Sequence, residues 1–241
     1  MTTESSHQAP TYTPHIGETR QYWRDIILGV NDGLVSTFLL VVGVVGGGLD
    51  IGDVLLTGIA GALAGAVSMA AGEYLATKSQ DEVLAAELNL EREHLRDHRE
   101  LEVDQLRDML TEMGIAADDL DQVVTAFNRS DETMLNAMAA LEFGVVESER
   151  RSPYLAMAAS GGLFLVGALP SVLPFAMMTS IDAALTVAVI LALAGLFIVG
   201  IIKASVAKTG KIRSGLENMV IAGVGGVVAW AIGNAVGTTL A

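Results

Sequence analysis

Five stretches of the chain stay apolar for longer than an ordinary soluble core helix needs: about 26–48, 54–76, 155–178, 181–202 and 217–240. Roughly 20 helical residues cross the hydrocarbon layer of a bilayer, so each stretch reads as a membrane span. Between the second and third spans the pattern changes to apolar residues at helical spacing among charges. Glu82 to Leu95 carries Val83, Leu84, Leu88 and Leu95, and Glu102 to Met113 carries Val103, Leu106, Met109 and Leu110. Gly114 is placed to end the latter helix, and Asp118–Phe127 and Glu132–Phe143 supply two more. The pattern predicts an all-α integral membrane protein, with five transmembrane helices and a helical insert between helices 2 and 3. Four segments follow: a leader over 1–23, helices 1–2 over 24–78, the insert over 79–149 and helices 3–5 over 150–241. The leader (Met1–Trp23) is polar, contains proline, and is expected to be disordered at least as far as Glu18. The first span is not expected to be a cleaved signal sequence, because no short apolar region with a small-residue cleavage site precedes it.

Charge sharpens this division. The chain has 28 acids, 14 Lys and Arg, and a net charge of −14. Nineteen of the acids lie in 81–149, with only Arg92, Arg96, Arg99, Arg107 and Arg129 to oppose them, so this stretch holds the whole net charge. The remainder is neutral. No basic footprint for nucleic acid exists. Without cysteine there is no disulfide, thiolate metal site or thiol nucleophile, and any metal must be held by carboxylate, imidazole, amide or thioether. Lys and Arg also set orientation. Arg20 and Arg24 precede the first span, and Lys78, the insert's bases and Arg150–Arg151 lie between the second and third. Lys203, Lys208, Lys211 and Arg213 lie between the fourth and fifth. All bases thus fall on one side, which places the amino terminus and the insert in the cytosol and the carboxyl terminus outside.

Small residues crowd the spans: Gly29 with Gly33, Gly61 with Gly65, and Gly223, Gly225, Gly226, Gly233 and Gly237. Such faces let helices approach closely in lipid, and bundle packing is their plainest reading. Pro170 and Pro174 are expected to kink or end the third span. Ionisable groups inside a span are costly and mark pathways. Asp32 lies a turn or two inside the first span, with Ser36 one turn on. Glu73 lies near the inner end of the second, with Met69 one turn earlier. A thioether beside carboxylates admits a softer transition metal than the all-oxygen shell magnesium prefers. Plainer readings stand beside these: Met69 as packing, and Glu73 snorkelling to the inner interface or pairing with Lys78.

In the insert, most carboxylates read as solvated. Glu91 and His94 are spaced i, i+3, the pattern by which di-iron bundles aim two ligands inward. Glu102 and Gln105 repeat that spacing, and Met138 with Glu142 adds an i, i+4 pair. Together they describe oxygen, nitrogen and thioether ligands from three helices, suited to Fe²⁺ or Mn²⁺ rather than Ca²⁺. Crowded carboxylates should have raised pKa values, so protons compete with bound cations. His98, one turn beyond His94, either joins the set or is solvated.

Two stretches carry a resemblance. Arg24-Asp-Ile-Ile-Leu-Gly-Val-Asn-Asp-Gly-Leu-Val-Ser36 and Gly65-Ala-Val-Ser-Met-Ala-Ala-Gly-Glu-Tyr-Leu75 resemble the first and second spans of the vacuolar iron transporter family. The layout of five spans with a helical insert is also similar, and the resemblance covers about 20–240. It implies a homodimer that exports Fe²⁺, and often Mn²⁺ or other divalent metals, from the cytosol in exchange for protons, along a path between subunits. The family's path aspartate and methionine fall on Asp32 and Met69, and its insert ligands on Glu91, Glu102, Met138 and Glu142. His94 and Gln105 replace family glutamates, and Ala139 replaces a further acid, which implies a weaker, smaller or retuned insert site.

The expected function is proton-coupled export of Fe²⁺, with Mn²⁺ and Zn²⁺ open as substrates, by a protein that is not an enzyme and needs no prosthetic group. The expected partners are metal ions, protons, the lipid bilayer and a second copy of the chain. The short connections favour a bacterial cytoplasmic membrane, with a vacuolar-type membrane also open. Two rivals remain: a membrane-anchored iron buffer or sensor without transport, and a ferritin-like ferroxidase, for which Glu102/Gln105 is a poor second ligand pair.

Overall fold

The computed structural model describes residues 20–144 and 152–240. Most of the leader expected to be disordered, together with Glu147, Glu149, Arg150 and Arg151, lies outside the described residues. Within them the chain forms eight helices and no strand: α1 (Arg20–Gly46), α2 (Ile51–Asp97), α3 (Arg99–Glu112), α4 (Ala117–Phe127), α5 (Asp131–Glu142), α6 (Pro153–Met177), α7 (Ile181–Ala207) and α8 (Lys211–Leu240). Five of these, α1, α2, α6, α7 and α8, are long and apolar enough to cross a membrane. The protein is an all-α, multi-pass membrane protein.

Short connections join α1 to α2, α6 to α7 and α7 to α8, and the helix ends there have local causes. Asp50 caps α2, its carboxylate accepting from the Gly52 and Asp53 amides at 2.8 and 3.0 Å. Ser180 occupies the cap of α7, and Lys208, left-handed at φ 55°, ends that helix. α6 runs through Pro170 and stops three residues after Pro174. The prolines therefore mark the end of the helix rather than splitting it.

α1 is the hub of the bundle. Leu34 packs with Leu196, Val199 and Ala222; Phe38 and Val42 pack with Ala192; and Val41 packs with Val54, Phe175, Ala184 and Ala188. Apolar burial gives little drive for association in lipid, so close backbone approach must do this work. A Cβ at Gly33 would collide with the Phe164 carbonyl, and one at Gly167 with the Val30 carbonyl, so α1 and α6 meet backbone to backbone. Gly233 meets the Gly43 carbonyl in the same way where α1 crosses α8.

The second span and the first helix of the insert are one element. α2 runs unbroken for 47 residues, about 70 Å at the ordinary helical rise, and only about 30 Å of that is needed to cross a bilayer. The run from Tyr74 to Asp97 contains neither glycine nor proline, so nothing ends the helix at the 78/79 boundary. Beyond the apolar part, α3, α4 and α5 fold back to build a small second core. Leu106, Met134 and Met138 are fully buried there, with Leu95, Leu110, Leu120 and Val124 beside them. Each such side chain contributes roughly 1.5–3 kcal/mol of apolar burial in water. Gly114, at φ 90°, closes α3 as its position suggests. Arg99 ties the start of α3 to Asn128 and Asp131, and Arg107 reaches Asp121 on α4.

Candidate functional site

Two clusters of polar side chains stand out. The first is a cleft of about 320 Å³ between α1 and α2, closed at the back by Phe164 of α6. Asp32, Ser36 and Thr37 enter it from α1, and Ser68 and Met69 from α2. Helical spacing puts Asp32 and Ser36 on one face. The Ser36 hydroxyl donates to the Asp32 backbone carbonyl at 2.5 Å, which leaves the serine oxygen as an acceptor toward a cation. The space exists because Gly61 and Gly65 line the α2 wall; a Cβ at Gly65 would meet the Phe164 ring. Asp32 is exposed although it sits within an apolar span, a position that demands water, a cation or a further protein surface.

Of the four path residues expected from sequence, Asp32, Ser36 and Met69 thus share the cleft. Glu73 does not line it. It lies one turn further along α2, half-buried, with Oε1 3.8 Å from Arg24 Nη2. Arg24 Nε also lies 3.5 Å from Asp25 Oδ1, and Asp25 is only 3% exposed. Sequence reasoning missed Asp25, Thr37 and Ser68. The signal for the last two was the hydroxyl beside each named residue; for Asp25 it was an acid next to a base at the start of a span.

The second cluster lies where α2 meets α3. His98 is the single residue between these helices, and its non-helical backbone, at φ −137° and ψ 33°, turns the chain so that Glu102 returns to Glu91 and His94. One ligand atom from each of these three residues lies within 4.8 Å of the others. His94 Nδ1 is 3.2 Å from Glu102 Oε1. Glu91 and Glu102 are buried, at 4% and 5% exposure, and one oxygen of each, Glu91 Oε1 and Glu102 Oε2, has no hydrogen-bond partner among the described residues. Burial, then the neighbouring charges of Glu102 and Glu142, push the Glu91 carboxyl up to about 7. A divalent cation here would satisfy both orphaned oxygens and remove the repulsion. Carboxylate and imidazole donors suit iron, manganese or zinc.

The other expected insert ligands stand apart to different degrees. Glu142 is exposed on α5, yet its charge reaches Glu91. Met138, one turn earlier, is fully buried in the apolar core with Leu95 and Leu106. Gln105 is exposed, because the inward face of α3 runs through Glu102, Leu106 and Leu110. His98 is exposed, its ring centroid 6.4 Å from that of His94.

Comparison with known proteins gives the family. The family model described as VIT family matches residues 23–234. The chain is 30% identical to vacuolar iron transporter 2 of Oryza sativa subsp. japonica, over 88% of this chain and 87% of that protein. It is 29% identical to vacuolar iron transporter 1 of Arabidopsis thaliana, over 88% and 85% of the two chains. Protein CCC1 of Saccharomyces cerevisiae is 27% identical, over 86% of this chain and 66% of its own. Matched from the first span through the insert and into the last span, this chain belongs to the VIT family.

Proposed function

We propose that the protein carries divalent metal, with Fe²⁺ as its first substrate and Mn²⁺ or Zn²⁺ as further ones, out of the cytosol in exchange for protons. The observation that carries this reading is the α1–α2 cleft, where Asp32 and Met69 face one space within an apolar bundle. The carboxylate supplies charge, the thioether favours a transition metal over Mg²⁺, and Ser36, Thr37 and Ser68 replace part of the ion's hydration shell. The relatives named as vacuolar iron transporters support metal as the cargo. The distribution of Lys and Arg supports an insert on the cytosolic side.

In this mechanism the insert gathers metal at Glu91, His94 and Glu102, with Glu142 adding charge. Met138 and Gln105 complete the ligand set only if α3 and α5 shift. The ion then passes to Asp32 and Met69. A proton arriving from the opposite side neutralises Asp32, weakens its hold on the ion and releases it. Glu73, beside Arg24, stands at the cytosolic mouth as a second protonatable group. No covalent bond is made or broken, so the protein is not an enzyme. An exposed Asp32 in lipid is relieved when a second copy covers the cleft, which makes the working unit a homodimer. The short connections favour a bacterial cytoplasmic membrane as its location.

Vesicle uptake of Fe²⁺, Mn²⁺ and Zn²⁺ across a pH gradient tests the proposal: metal should move and protons counter-move. Absence of metal-driven proton flux would sink it. A membrane-anchored buffer is the second reading, favoured by the separation of the insert cluster from the cleft. Asp32→Ala separates the two, since it should abolish transport and leave insert binding intact, whereas a buffer is indifferent to it.

A further inference from the structure

A second cavity, of about 600 Å³, lies on the other flank of α1, between α7 and α8, and shares no residue with the Asp32–Met69 cleft. Its wall is Arg24, Ile27, Leu28 and Asn31 of α1, Lys203 of α7 and Asn218 of α8. The chemistry is graded along the helices. Arg24 sits near the start of its span, and Lys203 sits one turn before the end of α7, so both cations stand at the same membrane face. Ile27 and Leu28 lie a turn deeper, and Leu28 is half exposed to the surroundings. Asn31 and Asn218 approach across the α1–α8 crossing, with Asn218 Nδ2 3.5 Å from Asn31 Oδ1, and so offer amide donors beside the cations.

The charges facing this cavity are unequal in their engagement. The Arg24 guanidinium is shared with Asp25 and Glu73, at 3.5 and 3.8 Å. Lys203 has no ion pair among the described residues, and it is exposed. From Lys203 to Arg213 the chain carries four bases and no acid; Glu217 is the first acid after them, next to Asn218. An ammonium group at the edge of a bundle, above an apolar groove and beside amide donors, complements an anion that carries hydrocarbon. A soluble anion would leave the Ile27–Leu28 wall unused, and a neutral lipid would leave Lys203 uncompensated.

We propose that this cavity is a binding site for one anionic phospholipid, its phosphate held between Lys203 and Arg24 with the Asn31–Asn218 pair, and its acyl chains along Ile27 and Leu28. Basic pockets between transmembrane helices recognise acidic headgroups in this way. The site would tie α1, which carries Asp32, to α7 and α8.

Native mass spectrometry of the purified full-length protein tests this, with phosphatidylglycerol, phosphatidylcholine or inorganic phosphate added singly and thermal unfolding measured in parallel. Phosphatidylglycerol should be retained and raise the unfolding temperature, whereas phosphatidylcholine and phosphate should do neither. Lys203→Gln should weaken phosphatidylglycerol retention by about fivefold, the scale of one basic residue at an anionic surface. Lys211→Gln, an exposed lysine in the same basic run but outside the cavity, should bind as the parent does and controls for general charge. Equal retention of phosphatidylcholine, equal stabilisation by phosphate, or equal losses in the two variants would each overturn the proposal. A misfolded Lys203→Gln protein would show itself by a lowered unfolding temperature without lipid, and Lys203→Arg should then restore retention; failure of that rescue overturns it as well.

Discussion

At the scale of single residues, the insert cluster makes the sharpest predictions. Glu91 is buried against Glu102, so its folded-state pKa stands above the ordinary value of 4.5, at about 7. The folded insert therefore holds a proton that the unfolded chain has lost between those values. This contribution to stability is complete below about pH 4.5 and lost as pH rises through about 7, unless metal takes the proton's place. Thermal unfolding of the metal-free protein should show the insert weakening from pH 5 to 8, and added Fe²⁺ or Zn²⁺ should reverse the trend. Metal binding runs the opposite way, and calorimetric affinity should fall as pH drops below about 7. His94→Ala removes a ligand and should weaken binding by at least about 10–100-fold, the scale seen when only a metal site's outer-shell contacts are removed. Gln105→Ala, on the exposed side of α3, should change it little. The Glu91–His94 pair was legible from its spacing because both residues lie on one helix. The equal spacing of Glu102 and Gln105 leaves Glu102 buried and Gln105 exposed, since only packing decides which face of α3 turns inward.

At the scale of elements, α2 joins the two candidate sites. Met69 and Glu91 are 22 residues apart on one unbroken helix, about 33 Å at the ordinary rise. Hydropathy marks where the lipid ends, but no signal in the sequence requires the helix to end there, and α2 runs on through the expected 78/79 boundary. Ser79→Pro would interrupt this helix at a cost of about 3 kcal/mol. The insert should still bind metal, while transport in vesicles should fall sharply as delivery to the cleft is lost. Packing of α1 is equally specific. Gly33→Leu drives a side chain into the Phe164 backbone and should lower stability by about 1–3 kcal/mol or more, read as a drop in unfolding temperature in detergent.

At the scale of the whole molecule, an exposed carboxylate on the lipid-facing side of a bundle points to a partner. Ala64 is exposed, and it shares a helical face with Gly61 and Ser68 at the edge of the cleft. The chain has no cysteine, so one introduced thiol is unambiguous. Ala64→Cys should form a disulfide-linked dimer on mild oxidation, and Val227→Cys, 70% exposed on α8, should not. Monomer only from both variants would remove the dimeric path.

Hydropathy alone determined the five spans, because a bilayer demands length and apolarity and little else. Charge alone divided the chain into a neutral bundle and an acidic insert, because nineteen acids in one segment leave no other sum. Asp32 stood out in the sequence for a similar reason: a carboxylate inside an apolar span is costly in lipid. Tertiary structure decided the rest. It drew Thr37 and Ser68 into the cleft and left Glu73 outside it. It buried Met138 among leucines, and it folded Glu102 back onto Glu91 and His94 through the turn at His98. These outcomes depend on which helix faces meet, and facing is fixed by contacts between residues far apart in the chain, which no local period encodes.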